Sequence, residues 1–257
     1  MKAAKRMALI VVAAGVALYV VLCGAVFAFQ RSLLYFPQGM SRTADGTTMI
    51  SLPVGAETVQ VSLRASAGPD AVLYFGGNAE DVAQSLPDFA AEFPGTAIYL
   101  LHYPGYGGSS GSPSQKSIFA AGLALYDRVH AEHPNILVIG RSLGSGVAVW
   151  IASQRPVVRV VLVTPYDSLA DAAARQYPFL PVRWMLVDKF ESWRYAPQVT
   201  APTRLIVAAD DEIIPRSSSD RLRTRFRGDN VSYVVLPDVG HNTIQESPDY
   251  WRLLNSE

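Results

Sequence analysis

The residues Gly140-Arg141-Ser142-Leu143-Gly144-Ser145-Gly146 contain the G-x-S-x-G pattern, and their surroundings give it chemical meaning. The apolar run Ile136–Ile139 precedes them, and the run Val147–Ala152 of small and apolar residues follows. A buried strand therefore enters a sharp turn that opens a helix, which is the setting of a nucleophile elbow. Gly140 and Gly144 let the backbone turn without a Cβ clash, so the Ser142 hydroxyl stands clear at the strand end. The amides of Ser142 and Leu143 fall at a helix N-terminus, where partial positive charge favours a developing anion.

A serine hydroxyl is a weak nucleophile near neutral pH and needs a base within hydrogen-bond reach, itself oriented by an acid. The chain has four histidines. His130 and His133 end a predicted helix just before a strand, far from the strand C-terminal edge, and read as surface residues. Their spacing permits a metal, but nothing else in the sequence supports one. His102 follows a strand at the correct edge and can line a pocket. His241 lies in Asp238-Val239-Gly240-His241-Asn242, directly after the last strand, and is the better base by position. Asp210-Asp211-Glu212 follow the strand Arg204–Ala208, and one of the three can reach His241. Asp167, after the preceding strand, is the weaker alternative. A second oxyanion donor is needed beside Leu143. Gly76-Gly77-Asn78 ends the strand expected to neighbour the nucleophile strand, which gives the Asn78 amide that role.

Elements able to hold these residues alternate along the chain. Strands are expected at Met49–Leu52, Val59–Leu63, Ala71–Phe75, Ala97–Leu101, Ile136–Ile139, Val157–Val163, Arg204–Ala208 and Val231–Leu236. Helices are expected at Glu80–Phe93, Ser117–His133, Leu143–Gln154, Arg216–Phe226 and Ile244–Leu254. Short strands alternating with helices argue for an α/β fold, a mostly parallel central sheet covered by helices on both faces. Tyr166–Ala201 interrupts the alternation. It is rich in aromatics (Tyr166, Tyr177, Phe179, Trp184, Phe190, Trp193, Tyr195) and reads as a small cap insertion lining a pocket over the strand ends.

The 257 residues suit one domain of the larger α/β type. Its 22 basic and 22 acidic residues balance, so no nucleic-acid partner is implied. The only cysteine, Cys23, excludes a disulfide framework and a thiolate metal site. No residue from Met7 to Phe29 is charged, whereas a membrane-spanning helix needs about 20 apolar residues. The reading is a basic cytoplasmic tail (1–6, with Lys2, Lys5 and Arg6), a transmembrane anchor (7–29) and a domain (30–257) on the outer side, opening with a connector at Gln30–Gly39. Cleavage near Val26 and Ala28, or lipidation at Cys23, are the rival readings. Against them stand a long apolar run and the bulky Leu22 before the cysteine.

With these residues in view the chain resembles the α/β-hydrolases, and within them the membrane-anchored Bem46-like, ABHD-type branch, which overlaps the serine aminopeptidase grouping. The resemblance runs from Ser32-Leu33-Leu34-Tyr35-Phe36-Pro37 to the C-terminus. It includes Tyr74–Glu80, Tyr103–Ser109, Gly140–Gly146, Tyr177–Val182, Asp211-Glu212-Ile213-Ile214-Pro215 and Gly240-His241-Asn242. The chain order Ser, Asp, His is the one this fold uses. The resemblance implies Asp211 as the acid partner, with Ser142 as nucleophile and His241 as base. Two positions depart from the family. Gly76 stands where it usually has histidine, and His102 where it often has an acid or amide. Activity implied is that of a serine hydrolase acting on an ester, thioester or amide without a cofactor; the aromatic insertion and the membrane anchor suggest an apolar acyl group as the preferred substrate. An aminopeptidase, or a catalytically silent membrane-tethered binding module, are the alternatives.

Overall fold

A strand that is apolar on both faces has to be covered on both faces, and this requirement organises the domain. In the computed structural model, residues 2–39, 48–228 and 230–256 are described. Helix α1 (Lys2–Leu34) leads and contains no buried residue. The hairpin β1 (Thr48–Val54) and β2 (Glu57–Arg64) follows, then β3 (Asp70–Phe75), a 3-10 turn (Val82–Ser85), α2 (Leu86–Glu92) and β4 (Ala97–Leu101). Next come α3 (Gln115–His130), β5 (Asn135–Arg141), α4 (Leu143–Gln154) and β6 (Arg159–Val163). The short helices α5 (Leu169–Gln176), α6 (Val182–Met185) and α7 (Ser192–Tyr195) separate β6 from β7 (Thr203–Ala208). The chain closes with α8 (Arg216–Arg223), β8 (Val231–Leu236), a 3-10 turn (Ile244–Glu246) and α9 (Tyr250–Asn255).

The eight strands form one sheet in the order β1-β2-β4-β3-β5-β6-β7-β8. Pairings β1–β2 and β2–β4 are antiparallel and the others parallel. Side chains of a strand alternate between faces. Ala71, Leu73 and Phe75 of β3 accordingly join the core that holds α3 and α4, while Val72 and Tyr74 join the core that holds α2 and α9. Phe75 lies opposite Gly140, and Arg141 opposite Val163. The loops after β3, β5 and β6 thus leave the sheet side by side, and those after β7 and β8 leave the same edge.

Three expected elements differ in detail. Glu80–Phe93 is a 3-10 turn running into α2, with Pro87 in its first turn. The expected closing helix Ile244–Leu254 is broken, because Pro248 forces Ser247 to an extended ψ of 131°. Helix α1 continues beyond Phe29 to Leu34, into the expected connector.

Of the insertion's aromatics, Tyr166 alone reaches the pocket over the strand ends, and the others are placed elsewhere. Phe190 is fully buried, 5.4 Å from the Phe119 ring of α3, which in turn stacks on Trp150 of α4 at 4.3 Å. Tyr177, Phe179 and Trp184 are exposed instead. A cluster of aromatics in sequence signals apolar contact but not which surface provides it.

His102 and His133 also depart from expectation. His102 is buried, its Nε2 lies 2.8 Å from the Ser62 hydroxyl, and burial pushes its pKa below the usual histidine value. A Cβ on Gly107 would fall 1.9 Å from its Nδ1, so His102 is wedged under the Tyr103–Gly108 loop rather than facing a pocket. His133 is buried, 3.1 Å from the Tyr99 hydroxyl and 2.8 Å from the Gly68 carbonyl oxygen.

The closest approach of a glycine to another segment's backbone, among the described residues, lies at the elbow. A Cβ on Gly144 would stand 1.9 Å from the Phe75 carbonyl oxygen, and one on Gly140 would stand 2.3 Å from that of Gly144. These are backbone contacts and cannot be relieved by a rotamer change. Gly144→Ala is expected to destabilise the domain by about 1–3 kcal/mol, read as a lowered midpoint in thermal unfolding followed by circular dichroism. An unchanged midpoint would contradict the approach of α4 to β3.

Candidate active site

Strand β5 delivers Ser142 to the sheet edge in a conformation that side chains rarely adopt, with φ 50° and ψ −116°. Such backbone strain costs on the order of 1–3 kcal/mol and persists only where neighbours hold it. Here the Ser142 amide donates to the Val163 carbonyl at 2.9 Å, and its carbonyl accepts from the Ser145 amide and hydroxyl. The Ser142 amide is therefore committed to the sheet. Of the two amides expected to meet an anion at the start of α4, Leu143 remains.

His241 and Asp211 arrive on the loops after β8 and β7. His241 Nε2 lies 2.9 Å from the Ser142 hydroxyl oxygen, and its Nδ1 lies 2.9 and 3.0 Å from the two Asp211 carboxylate oxygens. The carboxylate only accepts, so Nδ1 carries the proton and Nε2 is left to accept from the serine. Asp211 is held in turn by the amides of Ile213 (3.0 Å) and Ile214 (2.7 Å). Only 5% of the His241 side chain and 2% of the Asp211 side chain meet solvent. Of the three consecutive acids, Asp211 alone makes this contact. Asp210 and Glu212 are exposed, and Glu212 accepts from the His241 amide at 3.2 Å. Asp167 is paired with Arg221 at 2.6 Å and accepts from the Ser218 hydroxyl, away from His241.

The pocket over Ser142 has a volume of about 480 Å³. Asn78, Leu143 and His241 line it together with apolar groups from Leu34, Phe36, Tyr166, Leu169, Ile213 and Ile214. From the insertion, only Tyr166 and Leu169 reach it. Among the described residues neither the Asn78 nor the Leu143 amide has a hydrogen-bond acceptor, whereas the Gly77 amide donates to Glu80 at 2.8 Å. A Cβ on Gly77 would be 3.9 Å from Ser142 Cβ, so this loop lies directly beside the nucleophile candidate. A Cβ on Gly76 would fall 2.6 Å from the Val82 side chain and 3.1 Å from that of Glu80, so a larger residue there requires these side chains to shift. Among the described residues no group of three His, Cys, Asp or Glu side chains is placed to hold a metal.

Two supports escaped the sequence reading. The first is Glu80, whose carboxylate accepts from the Gly77 amide, the Tyr74 hydroxyl at 2.7 Å and Arg141 at 3.1 Å. Arg141 also donates to the His241 carbonyl at 3.4 Å. Burial, together with the Glu80 charge, pushes the Tyr74 phenol well above its usual pKa, so it remains a donor. The second is the chain leaving α1. The Asn78 amide nitrogen of the side chain donates to the Leu34 carbonyl at 2.7 Å, and the Asn78 carbonyl accepts from the Phe36 amide and the Tyr106 hydroxyl. An acid three residues beyond Gly77, and the apolar Leu33–Phe36 after Arg31, were the available signals.

No family model matches the chain. An uncharacterised protein of Mycobacterium tuberculosis is 35% identical over 231 residues, which cover 83% of this chain and 80% of that protein. Alpha/beta hydrolase domain-containing protein aho-3 of Caenorhabditis elegans is 29% identical over 163 residues, or 62% of this chain and 48% of that protein. The match thus spans about half the length of that relative. The solved esterase Pf2001 of Pyrococcus furiosus superposes with a TM-score of 0.69 over 86% of this chain and 97% of that one. At 18% identity this likeness speaks for the fold. Sheet order, elbow and relatives agree: the chain belongs to the α/β-hydrolase superfamily, in its ABHD-type branch.

Proposed function

We propose that the protein is a membrane-anchored serine hydrolase that cleaves an ester, thioester or amide through an acyl-enzyme on Ser142. The observation that carries this reading is the unbroken hydrogen-bonded series from Ser142 through His241 to Asp211, in a pocket with two uncommitted amides. In the first step the Ser142 oxygen attacks the substrate carbonyl carbon while His241 Nε2 takes its proton. The resulting oxyanion is met by the amides of Leu143 and Asn78, which are already in place and need no reorganisation. His241, now an imidazolium held by Asp211, gives the proton to the departing alcohol, thiol or amine. Water then repeats the sequence on the acyl-serine, releasing the acid and restoring Ser142.

The pocket walls favour an apolar acyl group over a peptide N-terminus. Among the described residues lining it, the acid is Glu80, which Arg141 already neutralises, so no free carboxylate awaits a substrate ammonium. Helix α1 has the length and composition to cross a membrane, with Lys2, Lys5 and Arg6 at its start. In this reading it is an uncleaved single-pass anchor. The basic residues stay in the cytoplasm and the hydrolase domain lies on the periplasmic or outer side.

Ser142→Ala should abolish labelling by a fluorophosphonate probe and lower hydrolysis of p-nitrophenyl esters by about 10⁶-fold. Labelling that survives in the folded variant would sink the nucleophile assignment. Medium-chain esters should be cleaved faster than aminoacyl anilides, and the opposite order would favour the aminopeptidase reading.

Asn78→Ala keeps the backbone donor but removes its tie to Leu34. It should reduce kcat by about 10–10² with KM little changed, because a donor misplaced by a fraction of an ångström weakens mainly the transition state. A raised KM at constant kcat would instead mark Asn78 as a ground-state binding residue. A reporter active only outside the cytoplasm, fused to the C-terminus, should be active in cells. A silent reporter beside a stable fusion would reverse the orientation.

A further inference from the structure

The insertion runs along α1 rather than away from it. Tyr19 donates to the Phe179 carbonyl at 2.8 Å, and Gln30 donates to the Met185 carbonyl at 3.4 Å while accepting from the Val187 amide at 2.7 Å. Arg31 pairs with the buried Asp188 at 3.0 Å. Tyr19 and Gln30 are about 16 Å apart along a helix that rises 1.5 Å per residue, close to half of a hydrocarbon core about 30 Å thick. The segment 179–187 therefore accompanies α1 through roughly the depth of one leaflet.

Two features show what the outer side of that segment meets. At the same level α1 exposes Val20, Val21, Phe27 and Phe29, each more than half accessible. If lipid covers these, it also covers what stands beside them: Phe179 at 64% exposure, Trp184 at 90% and Val187 at 56%. Backbone polarity is the second feature, since a segment in lipid must satisfy its own N–H and C=O groups. Pro178 and Pro181 have no N–H to satisfy. The amides of Leu180, Val182, Trp184, Met185 and Leu186 donate within the segment, and that of Val187 donates to Gln30. The charged residue of 177–187, Arg183, is paired with Asp171.

We infer that residues 177–187 enter the leaflet from which α1 emerges, placing Phe179, Trp184 and Val187 against lipid chains as a second membrane contact of the domain. The inference rests on α1 being a membrane anchor and is independent of the hydrolase chemistry. It also locates the pocket, because Leu169 from the root of the insertion and Leu34 from the root of α1 both line it. The candidate active site lies between the two points at which the chain rises from the bilayer.

The test is tryptophan fluorescence of the full chain reconstituted into phosphatidylcholine vesicles, with and without bromine on the acyl chains. The Trp184 signal is obtained as the difference between the wild type and Trp184→Phe, a replacement at an exposed site that leaves the core intact. Brominated lipid should remove most of that difference signal, and aqueous iodide should leave it unchanged. In the Trp184→Phe background, Phe179→Trp should restore a bromine-quenched signal. A Trp184 signal insensitive to bromine and quenched by iodide overturns the inference, provided the protein floats with the vesicles. Protein that does not float overturns the anchor and this inference together. Loss of esterase activity with quenching intact leaves the membrane contact standing and counts against the hydrolase reading alone.

Discussion

The approach of α4 to the end of β3 is the constraint from which the candidate site follows. With no Cβ at Gly144, the first turn of the helix can rest against the Phe75 carbonyl, and with none at Gly140 the turn can close behind it. Ser142 is the residue that absorbs the geometry, by taking a positive φ. The same contact sets the loop after β3 beside the nucleophile candidate. Sheet packing therefore brings the loops of the Asn78 and Leu143 amides together, and the bonds to Glu80 and Leu34 then set the Asn78 amide within its own loop. Rigid elements are the better scaffold for such a pair, because reacting groups tolerate little displacement.

Behind that contact lies a buried polar network that joins loops from three strands. Glu80 holds the Gly77 amide, Arg141 holds Glu80, and Arg141 reaches the carbonyl of His241. A buried ion pair contributes little net stability, since desolvation offsets most of its Coulombic gain. Its effect here is geometric. Each charge is satisfied only when the loops after β3, β5 and β8 occupy their present positions, so moving one loop would leave a charge unpaired in a site of low dielectric. The two charged side chains are 11% and 13% exposed, which keeps that penalty high.

Much of this was legible in the sequence, and the reason differs from element to element. The central strands were plain because both faces are buried, leaving uninterrupted runs such as Ile136–Ile139 and Val160–Val163. Ser142, Asp211 and His241 could be brought together because topology requires only that each follow a strand at one edge. The choice of Asp211 among three adjacent acids came from the family pattern. Its physical basis, the amides of Ile213 and Ile214 turned onto one carboxylate, is a property of the folded loop. The sequence was silent where a residue's partner lies far along the chain. His133 looked exposed at a helix end, yet it is sealed by Tyr99 and Gly68. The insertion aromatics advertised burial without an address: Tyr166 lines the pocket, Phe190 packs on the α3–α4 face, and Tyr177, Phe179 and Trp184 face outward.

Leu34 and Phe36 alter what the N-terminal helix is. A tether could be joined to its domain anywhere on the surface and by any flexible linker. Here α1 runs without a break to Leu34, which lines the candidate site together with Phe36, while Tyr35 is buried in the core and Phe36 is hydrogen-bonded to Asn78. The Asn78 side chain closes the same loop from the other side by bonding the Leu34 carbonyl. No slack remains between the helix and the proposed oxyanion donor, so the orientation of α1 and the geometry of the pocket are a single mechanical unit. In the membrane-anchored reading, the bilayer fixes the helix, the helix fixes Asn78, and the substrate carbonyl must be presented at the height above the membrane that this rigid junction dictates.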